Sequence, residues 1–358
     1  MTDSTERAAG EWIRTLAAAP RPAGGPAEAE ARARCATYLT QLGLGVHEVP
    51  FTYSTWPGRY ATSAGGFLAM ATAAVVGHLA FHGWPRVALG LLVGMGVTVG
   101  FGGGWVGRHG VLKLPMGRTT GVNLVATRGA PSVWLVAHLD SKSQPVPILV
   151  RMLGIVVVTG WWITAIGLAL AQVAGAPVVG WWPAATVVGV LAALPVMAST
   201  VGARSDGALD NASGVATVLL AAARVPATIP LGVLLTSAEE LGLAGARAWV
   251  GAVGPSVAIN CDGVDDTGYL TLMYSRRRPE RLIGAFRGVA RARGLLPGVL
   301  VDGVAFADAG WEVVTVSRGT AATLGRIHRP ADRADRLTGA GVADAADAIA
   351  GAVMGLQS

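Results

Sequence analysis

The sequence predicts a three-layer α/β/α domain with a mixed, largely parallel sheet, into which four transmembrane helices are inserted as two hairpins. Three observations predict it. From residue 209 onward, short apolar runs alternate with helical stretches, the pattern of a sheet covered on both faces. The run PSVWLVAHLD, residues 131–140, is apolar almost throughout, as a strand buried on both sides must be. Residues 61–83, 87–107 and 152–203 contain no Asp, Glu, Lys or Arg. Each of the first two runs is about one bilayer crossing long, and the third is enough for two.

Composition narrows the function classes. The 358 residues are 52% hydrophobic and 14% charged, with a mean hydropathy of +0.50, too apolar for a typical soluble chain. The net charge of +6 invites a nucleic-acid reading, but no Lys/Arg run interleaved with aromatics occurs, so nucleic acid is set aside as a partner. Cys35 and Cys261 lie far apart in apolar contexts and read as buried thiols in a reducing compartment. The opening MTDSTERAAGEWIRTLAAAP lacks the apolar core of a cleaved export signal.

Taken in order, residues 5–19 and 26–43 read as amphipathic helices broken by the Pro/Gly stretch 20–25. Residues 43–53 alternate like a strand, with His47 as a surface side chain. Residues 1–60 thus form the first part of a peptide-chain domain that is interrupted by hairpin one, residues 61–107, with a Trp84-Pro85-Arg86 break at its tip. Gly90, Gly94, Gly96 and Gly100 repeat a small-xxx-small spacing that permits close helix association, within the chain or in a homo-oligomer. His78 and His82 fall in or beside the first span of this hairpin; His82 reads as an interfacial residue, and neither is taken as catalytic. The domain resumes over 108–145 with two short strands, the second ending at His138, where α/β sheets place their sites. Hairpin two occupies 146–203, with Trp161 and Trp162 as packing residues near mid-span. The remainder, 204–358, supplies helices at 215–224, 243–250, 279–293 and 339–354 and strands at 230–237, 256–261, 269–274, 298–302 and 312–317.

Both hairpins must leave and re-enter the domain on one side of the bilayer. Arg59, Arg108, Lys113, Arg118, Lys142, Arg151 and Arg204 flank the spans there, against Arg86 in the opposite loops. The positive-inside rule then places the domain in the cytoplasm of a multi-pass membrane protein.

Five fragments carry candidate chemistry: AHLD, SDGALDNASG, AEELG, INCDG and RIHRPAD. They offer His138, Asp210, Glu240, Asp262 and His328 as metal ligands, with Asp210 the candidate shared by two ions and Glu239 left as a base. Asp140, two residues past His138, is placed to accept a proton from the imidazole and fix its tautomer. Histidine and carboxylate donors without thiolate suit zinc or another divalent ion in a catalytic site, and a shared carboxylate holds two ions about 3.5 to 4 Å apart. A water between the ions becomes hydroxide near neutral pH, and a neighbouring carboxylate can carry its proton to a leaving amine. Alone, each fragment has a plainer reading: an Asp before an apolar helix is an N-cap, and a Glu pair is a solvated helix start.

In combination and in this order, AHLDS, GALDNASGVA, TSAEELGLAGA, INCDG and RIHRPADRAD resemble the motifs of the di-zinc aminopeptidase family that includes bacterial leucyl aminopeptidases, glutamate carboxypeptidase II and glutaminyl cyclases. The stretch PRPAGGPAEAEARARCATYL is similar to the family's opening. The resemblance implies a membrane-integral zinc exopeptidase, foremost an aminopeptidase. It implies one zinc on His138 and Asp262, the other on Glu240 and His328, Asp210 bridging, Glu239 as general base, and Asp140 behind His138. It departs from the family where hairpin two fills an interval that is usually a short loop, where Ser205-Asp206-Gly207 replaces a Pro-Gly, and at Cys261. Because hairpin two starts close to the first metal motif, amphipathic or membrane-delivered peptides are the expected substrates. A glutaminyl-cyclase-like or other zinc acyl-transfer enzyme, and a non-catalytic membrane scaffold, are the alternatives.

Overall fold

A computed structural model describes residues 2–296 and 298–357. It divides into one unit made of Met1–Ser54, Gly117–Ser143 and Gly202–Ser358, and another made of Thr55–Met116 and Gln144–Val201. The first unit contains eight strands: β1 (Gly45–Ser54), β2 (Arg118–Arg128), β3 (Val133–His138), β4 (Leu231–Thr236), β5 (Val257–Val264), β6 (Tyr269–Tyr274), β7 (Arg291–Gly294) and β8 (Glu312–Gly319). They form one sheet in the order β1-β2-β4-β3-β5-β8-β6-β7. The centre, β4-β3-β5-β8, is parallel; β1-β2, β2-β4 and β6-β8 are antiparallel, and β6-β7 is parallel at the edge.

Every residue of β3 and β4 is buried, because helices cover both faces. Leu135 belongs to one apolar cluster, with Ile13 of α1 (Thr2–Leu16), Leu39 of α2 (Pro26–Gln41), and residues of two later helices, Leu219 and Ile349. Its neighbour Val136 points into the other cluster, with Leu234, Trp249 and Phe306. Successive side chains of a strand face opposite sides, so an uninterrupted apolar run is what two covered faces require.

The second unit consists of four helices: α3 (Pro57–Phe81), α4 (Pro85–Lys113), α5 (Ile148–Val173) and α6 (Val179–Met197). Each is long and apolar enough to cross a membrane. Trp161 is buried among Ala73, Val76, Ala165 and Trp182, and the indole of Trp162 donates to the Leu92 carbonyl at 3.1 Å. Of the expected stripe, Gly96 is close to another helix, where a Cβ would lie 3.3 Å from Trp162 Nε1, and closer approaches occur at glycines outside it. A Cβ on Gly66 would overlap the Met197 backbone, and one on Gly77 would overlap Thr186 Oγ1, so α3 lies directly against α6. At Gly90, Gly94 and Gly100 a Cβ would meet nothing within 4 Å. The expected end of hairpin one also moves: α4 runs on through Gly102–Gly104 to Lys113.

In the first unit the remaining helices are α7 (Ser213–Arg224), α8 (Ala244–Val250), α9 (Glu280–Ala285), α10 (Asp302–Asp308), α11 (Ala321–Arg326) and α12 (Ala340–Gln357). Two local expectations fail here. The helix expected over 279–293 stops at Ala285, because Arg287 and Gly288 turn left-handed (φ 49° and 77°). The chain then reverses into β7, which supplies hydrogen bonds to the outer edge of β6. No strand forms over 298–302; Gly298 is left-handed (φ 86°) and α10 begins at Asp302.

Candidate metal centre

Parallel strands that end on one rim bring their carboxyl-terminal loops together. His138 is the last residue of β3 and lies opposite Thr236, the last of β4. Glu239 and Glu240 follow β4, Asp262 lies near the end of β5, and Asp210 precedes α7. His328 enters from the loop after α11.

The structure brings all these side chains together. Asp210 is central: its Oδ1 is 3.1 Å from His138 Nε2 and its Oδ2 is 3.0 Å from His328 Nε2. One carboxylate therefore presents a separate oxygen to each histidine. Around His138, Asp262 Oδ1 lies at 3.8 Å and Glu239 Oε2 at 4.0 Å. Around His328, Glu240 Oε1 lies at 3.2 Å. The donors fall into two groups, His138 with Glu239 and Asp262, and Asp210 with Glu240 and His328, each within 4.8 Å. Asp210 does not cap the helix that follows: both its oxygens face histidines, and Asn211 Oδ1 accepts from Gly214 N instead.

Burial and mutual charge shift these groups strongly. Burial raises the Glu239 carboxyl and, although His138 opposes it, Glu240 and Asp262 add to the rise, so it lies well above the usual carboxylate range. Burial also acts to raise Asp210, but hydrogen bonds and charge from His138 and His328 outweigh it and hold the carboxyl well below that range. Glu240 is likewise pushed up by burial yet held at about 2, chiefly by Lys142. Burial opposes the charged form of His138, but Glu239, Asp140 and Asp210 raise it well above its ordinary 6.5. Glu240 and Asp210 similarly overcome burial to raise His328.

This donor set fits a pair of divalent ions. Two imidazoles and several carboxylates without a thiolate are the ligands of catalytic zinc sites. Glu240 Oε1 is buried with no well-formed hydrogen bond and faces another donor atom, His328 Nε2, at 3.2 Å, so two ligand atoms converge where a cation would complete them.

The supporting groups differ from the sequence expectation in one respect. His138 Nδ1 is 3.0 Å from the backbone oxygen of Asp140, whereas the carboxylate lies at 3.6 Å. The main chain thus fixes the imidazole. The carboxylate accepts instead from the backbone nitrogens of Glu239 and Glu240, at 3.0 and 3.1 Å. That holds the turn that starts at Ala238, itself in a left-handed conformation at φ 58°.

Three further groups escaped sequence reasoning. Arg21 is 1% exposed and donates to the carbonyls of Leu16, Leu139, Asp206 and Gly207, clamping the loops that carry Asp140 and Asp210. Its only sequence signal is a turn-forming Pro-Arg-Pro. Asp332, in the quoted RIHRPAD, accepts from the backbone of Leu209 at 2.6 Å and Asp210 at 3.2 Å. Lys142, counted above among the flanking charges, places its Nζ 2.5 Å from Glu240 Oε2.

A family profile described as Peptidase family M28 matches residues 123–353. A search of curated proteins gave no match. Among solved structures, the chain is similar to an aminopeptidase from Aneurinibacillus sp. strain AM-1, with 16% identity, TM-score 0.57, and 99% of this chain and 94% of that one covered. It is similar to BSAP, a zinc aminopeptidase from Bacillus subtilis, with 16% identity, TM-score 0.56, and 98% and 94% covered. It is also similar to a glutaminyl cyclase from Fimbriiglobus ruber, with 14% identity, TM-score 0.54, and 100% and 96% covered. The profile spans well over half of the chain and includes every candidate donor, so the chain belongs to peptidase family M28 and is a metallopeptidase-type hydrolase with a zinc-type donor set.

Proposed function

We propose that this chain is a membrane-integral di-zinc exopeptidase that removes N-terminal residues from peptides. The observation that carries the reading is Asp210, whose two oxygens each face a different histidine at 3.0 to 3.1 Å. Such a carboxylate serves two ions at once. His138 and Asp262 complete one half, and Glu240 and His328 the other. Two bound zinc ions supply Lewis acidity for the scissile carbonyl and for the attacking water.

Glu239 is the general base. Its Oε2 lies 4.0 Å from His138 Nε2, beside the ligands His138 and Asp262, within reach of a water held there. A carboxylate beside the ligands, and not itself needed as one, is placed to take a proton from water and return it to the leaving amine nitrogen. Asp140 holds the backbone of Glu239 and Glu240 together, so base and ligand keep their relative position.

The four long apolar helices support a multi-pass membrane protein, and the arginines flanking them support a cytoplasmic domain. Only nine residues lie between His138 and the start of α5. This short tether supports substrates delivered at the bilayer, namely amphipathic peptides.

Elemental analysis of the detergent-purified chain, paired with hydrolysis of aminoacyl amides, tests the reading. About two zincs per chain are expected, with Glu239→Gln slowing turnover by about 10² to 10⁴ while zinc is retained. One zinc per chain with cyclisation of N-terminal glutamine in place of hydrolysis would instead establish the glutaminyl-cyclase alternative. A chain without zinc, or full activity in Glu239→Gln, would overturn the proposal.

A further inference from the structure

The two halves of the centre differ in one charged neighbour. On the Glu240–His328 half, Lys142 Nζ contacts Glu240 Oε2 at 2.5 Å, leaving Oε1 to face His328 at 3.2 Å. On the other half, among the described residues, neither Glu239 nor Asp262 makes an ion pair with a lysine or arginine; their charged neighbour is His138. The position of Lys142 is fixed from both sides. Ser141 Oγ accepts from the Arg21 backbone at 2.9 Å and donates to the Ser205 carbonyl. Ser143 exchanges two backbone hydrogen bonds of 2.8 Å with Gly202, and its Oγ accepts from Arg204 N. The lysine side chain is 17% exposed and its carboxylate partner 4%, so solvent screens the pair weakly.

Resting on the two-ion reading, we infer that Lys142 makes the two metal sites unequal: the His138–Asp262 site fills first and tightly, and the Glu240–His328 site holds its ion weakly and exchangeably. Two physical effects act in the same direction. The ammonium takes one oxygen of Glu240, restricting that ligand to a single oxygen. It also adds a positive charge beside a site meant for a dication, and in a part-buried setting like charges at such range act strongly. Lys142 is thus a positioning residue that sets how the second site responds to the supply of divalent metal.

The test is zinc titration, by calorimetry, of the metal-free full-length chain in detergent. Wild type is expected to bind two equivalents in two resolved steps. Lys142→Met should tighten the weaker step by about tenfold or more and move the tighter step by less than about threefold. Lys142→Arg, which keeps the charge, should stay close to wild type, and Lys142→Gln serves as the second charge-removing variant should the methionine variant not fold. Asp262→Asn should abolish the tight step and leave the weak one. Two equivalents in wild type with no tightening, or with weakening, in both charge-removing variants would overturn the role of Lys142 alone. Fewer than two equivalents in wild type would instead overturn the two-ion reading itself.

Discussion

Replacing Asp140 with Asn separates what its carboxylate does from what its backbone does. The side chain is fully buried, and its two oxygens accept from Glu239 N and Glu240 N at 3.0 and 3.1 Å. Asparagine keeps one acceptor and turns an NH2 towards the other N–H. One hydrogen bond to a charged acceptor, worth about 1.5 to 3 kcal/mol, is lost, and a buried donor is left unpaired at about 1 to 3 kcal/mol. Some of this is offset, because removing the Asp140 charge relieves repulsion of the neighbouring Glu28 and Asp302 carboxyls. A net of about 3 kcal/mol is what remains to hold the turn in place, including the left-handed Ala238, whose conformation itself costs about 1 kcal/mol. At 1.4 kcal/mol per decade, about 3 kcal/mol corresponds to about a hundredfold fall in the population of the aligned turn. The expected result is therefore a fall of about a hundredfold in kcat/KM for an aminoacyl amide. Zinc on His138 should be largely retained, since the bond that fixes the imidazole comes from the Asp140 main chain. Faster hydrogen exchange at the Glu239 and Glu240 amides should accompany it. A variant within about threefold of wild type, or one that loses zinc as completely as His138→Ala, would refute the reasoning.

Asp210→Ala should leave at most one weakly held zinc and no measurable hydrolysis, because each half of the centre loses an oxygen; elemental analysis reads this directly. Arg21→Met should destabilise the metal-free chain by about 3 kcal/mol or more, seen as a lowered unfolding midpoint, because four carbonyls, three of them buried, lose a charged donor. Zinc binding should strengthen as pH rises from 6.5, with proton release measurable by calorimetry in buffers of different ionisation enthalpy, because His138 and His328 hold protons above their ordinary 6.5 and must give them up to bind metal. In the metal-free chain the same two groups, raised on folding, contribute stability that is fully present below pH 6.5 and lost as pH rises through their folded values. Gly66→Ala should lower the thermal stability of the detergent-solubilised chain by about 1 to 3 kcal/mol, since the added carbon overlaps Met197, while Gly94→Ala should be nearly silent.

Local pattern was enough to find the strands that carry the site and the side chains at their ends. An apolar run with no alternation marks a strand with two covered faces, and Val133–His138 is that run. A chain with 22 acidic residues and six histidines cannot place His138, Asp210, Glu239, Glu240, Asp262 and His328 at strand ends or helix starts by much accident, so the candidate donors were legible. The long uncharged stretches were legible for the same reason, since spanning length and composition are properties of a single segment. Segments governed by their neighbours were not. Residues 291–294 became an edge strand because β6 offered an unpaired side, and glycine spacing did not reveal that Gly66 and Gly77, rather than Gly90 and Gly94, lie against another helix.

What only the tertiary structure decided is which buried group answers which. The sequence brought Asp140 within two residues of His138, yet its carboxylate answers backbone nitrogens about a hundred positions away. Lys142 counted as a loop charge, yet it pairs with Glu240, and Arg21 holds carbonyls up to 186 positions distant. Periodicity is a local property set by backbone geometry, whereas the partner of a buried polar group is fixed by which loops the folded sheet brings to one rim, and by the penalty for leaving any such group unpaired.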